Sequence, residues 1–396
     1  MTLRVAVVGG GIGGLTLAIA LSRAGGVQVE VHERAVELGE VGAAVALAAN
    51  AVRLLDDLGL GPALRAASVE PTELIYRGWR EGRRIAGFPV GDGGWYEQRF
   101  GAPFLGIHRA DLQRILADAF DPALLRLGRT VTGIDDGQGA VRLRFADGSA
   151  TEADVVVGAD GVWSAVRRWV DPDAAPVYTG TSGLRGLVPV SALPSLPDPL
   201  AIQFWVGPDA HLLHYAIEGG RTVNFLAVLE GPAAWTAPTG TALAAPGELA
   251  DAFAGWHPAV REMVAAVPQS DRWGLFALPP LARWSRGRVT LLGDAAHAML
   301  PHHGQGANQT IEDAVTLAAC LTSAPLDEAL PRYERLRRTR TRQVQRSSWD
   351  TSPLLHLPDG PAADARDHDL TGLAELLGWI HGHDALAAVQ PASGAR

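Results

Sequence analysis

Leu3-Arg4-Val5-Ala6-Val7-Val8-Gly9-Gly10-Gly11-Ile12-Gly13-Gly14 is the stretch that decides the fold. Leu3 to Val8 is a short valine-rich run, the pattern of a strand buried on both faces. After the glycines, Leu15, Leu17, Ile19, Leu21 and the alanines between them predict a buried helix, which Gly25-Gly26 stops. Val27, Val29 and Val31 then alternate as a second strand ending at Glu33. Strand, glycine turn, helix and strand together are the setting a dinucleotide fingerprint requires. In it Gly9 permits the tight turn, Gly11 lets backbone approach a pyrophosphate, and Gly14 lets the helix pack close to the strand. The helix N-terminus offers N–H groups and a partial positive charge to phosphates. Glu33, nineteen residues after Gly14, stands where a carboxylate accepts hydrogen bonds from ribose hydroxyls. The fingerprint alone does not separate FAD from NAD.

The bulk of the chain narrows the class. Its 396 residues are too many for one core, and 47% of them are apolar, so two domains with ample interior are expected. The formal net charge is −9, which argues against a nucleic-acid partner. All 34 basic residues are arginine. Seven of them fall in 332–346, read as a solvated helix packed on the nucleotide domain. Cys320 is the one cysteine, so no internal disulfide and no cysteine zinc site is expected, and a reducing cytoplasm fits. Leu3 to Leu21 is apolar apart from Arg4 and Thr16, but its glycines would break a targeting or membrane helix. No membrane association is expected. His302-His303 and His211-His214 lack partners at ligand spacing, so no metal is expected either.

Two later segments carry more. One is Ala153-Asp154-Val155-Val156-Val157-Gly158-Ala159-Asp160-Gly161-Val162-Trp163-Ser164-Ala165-Val166-Arg167, a strand feeding a turn and a helix. The other runs from Gly287 through Gly293-Asp294-Ala295-Ala296-His297 and Pro301-His302-His303-Gly304-Gln305-Gly306-Ala307-Asn308 to Glu312-Asp313-Ala314. With His108-Arg109-Ala110-Asp111-Leu112, Gly207-Pro208 through Tyr215, and Gly378-Trp379-Ile380-His381-Gly382-His383-Asp384, they resemble the class A flavoprotein hydroxylases of the para-hydroxybenzoate hydroxylase fold. The resemblance spans nearly the whole chain. It is closest to the branch holding salicylate hydroxylase, 3-hydroxybenzoate 6-hydroxylase and 6-hydroxynicotinate 3-monooxygenase.

That resemblance implies an α/β fold: a Rossmann-like FAD-binding domain interleaved with a smaller α+β substrate domain, followed by C-terminal helices. The FAD domain is expected at 1–75, 101–175 and 286–325, the substrate domain at 76–100 and 176–285, and the helical region at 326–396. Within 176–285, His211 to Ile217 and Thr222 to Val228 read as strands of an antiparallel sheet. Residues 352–370 read as a surface connection before a final helix near 371–381.

The implied activity is that of a single-component monooxygenase that hydroxylates a small phenolic or hydroxy-heteroaromatic compound with FAD, NADH or NADPH, and O2. Other flavin oxidoreductases on this fold (epoxidase, oxidase, halogenase) and a non-catalytic flavin redox sensor are the alternatives. The Trp-x-Trp-x-Ile-Pro segment of a halogenase is absent.

Carried onto this sequence, the family places Gly9, Gly11, Gly14, Glu33 and Arg34 at the ADP half of FAD, with Arg109 and Gln113 on one helix face beside the cofactor. Asp160 and Gly161 fall by the pyrophosphate, where the incoming nicotinamide nucleotide also passes. Gly293 and Asp294 fall at the ribityl chain, Asp294 being alternatively a helix cap. Pro301 is expected near flavin C4a, and Gly304, Gly306, Ala307 and Asn308 at the N1–C2 edge, where donors stabilise developing negative charge. His211 and Tyr215, four apart on a strand, share a face. The resemblance makes His211 the base that helps deprotonate the substrate hydroxyl and gives Tyr215 a hydrogen bond to the substrate, while His302, between Pro301 and the flavin-contacting loop, either reaches the substrate or relays a proton. His303 is a lesser candidate, and His214 and His297 read as structural. Arg185 is either a substrate-carboxylate ligand or half of a surface ion pair. One departure stands out: Ala49 precedes Asn50 where relatives usually carry proline.

Overall fold

The Leu3–Val8 strand lies inside a six-stranded sheet, between Val27–His32 and Val155–Gly158 and parallel to both. Val289–Leu291 adds beyond Val155–Gly158, also parallel, and the short strands Ser285–Arg286 and Leu125–Arg126 form the two edges. This computed structural model describes residues 2–39, 44–91, 94–137, 139–237 and 239–389. The helix Ile12–Ala24 packs on the first strands and against the helices Arg109–Asp118 and Gly306–Ser323, which is why every residue from Ile12 to Leu21 is buried. Its approach depends on two glycines. A Cβ on Gly14 would lie 1.9 Å from the Gly9 carbonyl oxygen, and Gly9 itself has φ +113° against Ala159. Close helix–strand contact at this turn therefore excludes any side chain.

The second sheet has eight strands, in the order Thr241–Leu243, Asp271–Ala277, Val177–Pro189, Thr222–Glu230, Ala210–Ile217, Ile202–Gly207, Glu73–Gly78, Arg84–Pro89. All neighbours are antiparallel except Ile202–Gly207 beside Glu73–Gly78. The Glu73–Gly78 strand runs across the boundary expected between 75 and 76. One face of this sheet packs on a separate core that includes Trp205, Phe225, Phe253, Trp256 and Met263, closed by the helices Glu248–Ala252 and Pro258–Ala265. Because side chains alternate along strands, the other face is free to look toward the six-stranded sheet.

Two expectations for the C-terminal part are corrected. The segment 352–370 is not a connection: the helix Leu326–Leu355 reaches into it and Pro361–Asp369 forms another helix before Leu373–His381. The stretch has three prolines, of which Pro361 sits in a first turn, where a missing N–H costs little, Pro353 is accommodated in the last turn of its helix, and Pro358 lies in the short break between the two helices. The arginine-rich helix is also not merely solvated. Arg335, Arg342 and Arg346 are exposed, but Arg337 and Arg340 are buried and turned inward. No described helix is long and apolar enough to cross a membrane.

Candidate active site

A cleft of about 740 Å³ runs between the two sheets. Gly9, Gly11, Glu33, Arg34, Arg109, Gln113, Asp160, Gly161, Gly293, Asp294, Pro301, Gly304, Gly306 and Ala307 all line it. Gly14 and Asn308 do not. Gly14 works through packing, as above. Asn308 is fully buried: its Oδ1 accepts from Ala48 N at 2.8 Å, and its Nδ2 donates to Ala46 O and Gly304 O at 2.9 and 2.7 Å. It staples the Ala44–Leu47 strand to the Gly304 turn and so shapes the cleft from behind.

At the nucleotide end the Gly10 peptide is gripped from both sides. Glu33 Oε2 accepts from Gly10 N at 2.7 Å while Gln113 Nε2 donates to Gly10 O at 3.1 Å. Glu33 Oε1 also accepts from Ala35 N at 2.8 Å, which fixes the carboxylate at the strand end. The helix Ile12–Ala24 begins with Gly11 at its N-cap and no side-chain cap, so its N-terminus is open to an anion in the cleft. Asp160 is committed to its own turn, accepting from Ser164 Oγ, Ala165 N and Val166 N. Asp294 is not the cap of its helix. Gly293 is, and the Asp294 side chain is exposed along the cleft.

The loop Pro301–Gly304 is a single 3-10 turn closed by Gly304 at φ +62°. It leads into the helix Gly306–Ser323, and a Cβ on Gly306 would meet nothing within 4 Å. Behind it lies a buried ionic network. Glu312 and Asp313, both fully buried, take Arg337, whose Nη1 is 2.5 Å from Glu312 and whose Nε is 2.6 Å from Asp313. Arg340 adds a contact to Glu312 at 3.2 Å. Burial opposes charge on both carboxyls, but the arginines, and His297 at Asp313, outweigh it and hold both pKa values below the ordinary range. The network reaches the cleft wall: Asp313 accepts from Gly293 N at 3.0 Å, and Asn50 Nδ2 bridges Glu312 and Gln305 at 2.6 and 3.1 Å. His297 packs on Trp284 and bonds Asp313, as its structural reading expects.

At the opposite end the eight-stranded sheet supplies the wall. Leu213, Leu226 and Arg185 form one rung across three neighbouring strands, with Tyr215 and Asn224 paired on the next. All five line the cleft, facing Met299–Pro301 and Gly304–Ala307. Gly106 leaves the space the Tyr215 ring fills, since a Cβ there would stand 3.1 Å from it. Burial raises the Tyr215 phenol well above its ordinary pKa against the pull of Arg185 and Arg109, so the group is a neutral donor. Arg185 is not half of a surface ion pair. No carboxylate among the described residues reaches it, its guanidinium lies 5.5 Å from the Trp273 ring centre, and burial and then Arg109 lower its pKa. A cation kept partly out of water without a counter-ion is a ready carboxylate site.

His211 and His302 are displaced from where they were expected. Neither lines the cleft: they are 1% and 2% exposed, His211 one step past Leu213 on the same strand face and His302 behind Pro301. Their rings meet edge to face at 5.2 Å. His211 Nδ1 is 2.8 Å from His356 Nε2. Burial first, then the neighbouring histidines, push His302 down to about 3 and His211 well below its ordinary value. His303 is held at Ser347 Oγ, 2.9 Å away, and is lowered to about 4 by burial. His214 points to the other sheet face, as its position predicts, and burial lowers it to about 3.

Sequence reasoning missed His356, Asn224 and the Arg337 network. Asn224 was within reach, because it stands two positions from Leu226 on an alternating strand. His356 had no motif around it and stood in a stretch misread as a loop.

The family described as FAD binding domain matches residues 2–348. A 3-amino-4-hydroxybenzoate 2-monooxygenase from Streptomyces cremeus is 43% identical, over 97% of this chain and 96% of that protein. Salicylate hydroxylase from Pseudomonas putida is 35% identical over 96% of this chain and 93% of its own length. The solved structure of a salicylate hydroxylase substrate complex superposes with a TM-score of 0.85 at 30% identity, covering 99% of both chains. The cleft with an open helix end and the length of these matches agree, and this chain belongs to the FAD-dependent aromatic monooxygenases.

Proposed function

We propose that this enzyme hydroxylates a small phenolic acid, of the 3-amino-4-hydroxybenzoate type, using NADH or NADPH and O2. Arg185 carries the reading: a partly buried cation without a carboxylate partner among the described residues, on one sheet face with Tyr215 and Asn224 and opposite the Pro301–Ala307 loop. The 43% identical relative, named for such a ring acid, supports it.

The cleft suits FAD. An uncapped helix N-terminus meets the need of a pyrophosphate, Glu33 stands at the ribose end, and Gly161 and Gly306 present faces where a Cβ would meet nothing. Gly9, Gly11, Arg34, Arg109, Gln113, Asp160, Gly293 and Asp294 would hold the nucleotide and ribityl parts, and Pro301, Gly304, Gly306 and Ala307 the flavin ring. Bound FAD supplies the redox chemistry, accepting hydride from the nicotinamide and delivering one atom of O2 to the substrate as hydroxyl. The chain does the remainder. Arg185 anchors the ring carboxylate and Tyr215 donates a hydrogen bond to the substrate. Asn224 fixes orientation, the leucines exclude water, and His302 and His211, which sit behind the lining, would take the hydroxyl proton only with a ring turned toward the cleft. Asn308 acts through the backbone it ties. The cytoplasm is the proposed location, supported by the buried free thiol of Cys320.

The test is a screen of NADH and NADPH oxidation by the yellow holo-protein against aminohydroxybenzoates, hydroxybenzoates, hydroxypyridines and uncharged phenols, with product analysis. The expected result is faster nicotinamide oxidation with an aromatic acid and one oxygen atom gained by the ring. Peroxide as the sole product with every aromatic acid defeats the proposal.

A further inference from the structure

Asparagine is poorly suited to the interior of a sheet, yet Asn224 stands on the strand Thr222–Glu230, with Val177–Pro189 on one side and Ala210–Ile217 on the other. It is 5% exposed and lines the cleft, and no hydrogen bond joins its amide to any described residue. A polar side chain at that depth without a partner calls for a reason. The wall around it supplies none: the next cleft-lining residue on its strand is Leu226, and Leu213 is paired with that.

The strand register sets the spacing of the polar groups. Tyr215 is directly opposite Asn224, so the two side chains leave the sheet about 5 Å apart. Arg185 is opposite Leu226, one rung away on the same face, which is about 6.7 Å along the strands. That separation is comparable to the span of a benzoic acid from its carboxylate to the far edge of its ring. A ring anchored at Arg185 therefore turns its far edge to Tyr215 and Asn224 together, and a side-by-side pair of polar groups faces two adjacent ring positions. Their chemistry differs. Arg185 has only donors, and Tyr215, kept neutral by burial, donates, so each suits an oxygen of the ligand. The Asn224 amide adds a carbonyl oxygen, and that oxygen asks for a donor.

We propose, resting on the reading of the site given above, that Asn224 is the specificity-determining residue for a second polar substituent of the substrate, an amino or hydroxyl group ortho to the ring hydroxyl, whose N–H or O–H its Oδ1 accepts. A ligand without that donor leaves the amide unpartnered among leucines. It is rejected for the cost of a buried acceptor, not for its shape. The substrate class narrows accordingly, from phenolic acids at large to o-aminophenol and catechol acids.

The experiment titrates FAD-loaded protein with acids that differ at one ring position: 3-amino-4-hydroxybenzoate, 3,4-dihydroxybenzoate, 4-hydroxy-3-methylbenzoate and 4-hydroxybenzoate. Flavin absorbance reads binding. The methyl group has the size of the amino group but no donor. Wild type is expected to hold the amino and dihydroxy acids about tenfold or more tighter than the methyl acid. In Asn224→Leu, which keeps the volume without the polar atoms, that preference collapses: the amino acid ligand weakens by about tenfold while the methyl acid binds as in wild type or tighter. Asn224→Val, a residue favoured in strands, gives the same reading should the leucine variant lose FAD. Equal affinity for the amino and methyl acids in wild type overturns the proposal and leaves the phenolic-acid reading standing. A wild-type preference that survives in the variants overturns it too. If none of these acids perturbs the flavin, the phenolic-acid reading itself has failed and the role of Asn224 falls with it.

Discussion

At the scale of single residues, the proposed carboxylate anchor Arg185 is expected to separate acidic from neutral ligands. Replacing it by methionine is expected to weaken binding of a benzoate-type ligand by about 10- to 100-fold, the worth of a charge-assisted hydrogen bond, and to leave an uncharged phenol unaffected. Titration of flavin absorbance with matched acid and non-acid phenols checks this, and equal weakening for both would show a packing role. Gly14→Ala is expected to cost at least about 2 kcal/mol and to release FAD, because its Cβ would fall 1.9 Å from a carbonyl oxygen that has no room to move. Thermal unfolding and retained flavin are the measurements. Ala49 explains itself once its surroundings are known. Its N–H donates to Tyr96 Oη at 3.2 Å, and Tyr96 Oη pairs with His381 Nδ1 at 3.0 Å. A proline there has no N–H to give, so the departure from the family pattern is coupled to a tyrosine–histidine pair from two other parts of the chain.

Between elements, the Gly306–Ser323 and Leu326–Leu355 helices are joined by charge as much as by apolar contact. Arg337→Met would strand Glu312 and Asp313 in the interior without their main counter-charge, an expected loss of about 3–5 kcal/mol. Since the same carboxylates hold Gly293 N and, through Asn50, Gln305, flavin affinity is expected to fall with stability, measured by FAD retention during urea unfolding. An unchanged urea midpoint would mean the network adds nothing. The limits of sequence reading show at this scale. The strand–turn–helix–strand of residues 3–33 is legible because each cue is a neighbour of the next. The ionic network is not: hydrophobic periodicity assigns Glu312 and Asp313 to a helix but says nothing about which distant arginines neutralise them. The parallel pairing of Ile202–Gly207 with Glu73–Gly78 is equally hidden, because local alternation gives strands but not their partners. The glycine and aspartate motifs named many of the residues that line the cleft, but not Asn224, Leu213 or Leu226, whereas His211 and His302 were named by type but not by depth.

For the whole molecule, buried histidines set the response to acid. Burial lowers His32, His303 and His356 to about 4 and His214, His302 and His381 to about 3. In the unfolded chain they titrate near 6.5. Their neutral burial therefore contributes stability that is fully present above pH 6.5 and is lost as pH falls toward 4, because there the unfolded chain binds protons the folded one refuses. Glu312 and Asp313, also lowered, add a further loss below the ordinary carboxylate range. The urea midpoint is expected to be level from pH 7 to 8 and to drop steadily from 6.5 to 4.5, and a level midpoint through the lower window would contradict the burial of these rings. The strand order of the six-stranded sheet has a consequence for biosynthesis. Leu3–Val8 is made first, yet the sheet it belongs to is completed only by Val289–Leu291, on the order of tens of seconds later at ordinary translation speed. Until then the ribosome carries an unfinished parallel sheet with Val155–Gly158 as an open apolar edge, a template for aggregation unless a chaperone covers it. A premature stop shortly before Val289 should thus yield an insoluble chain and not a weakened flavoprotein.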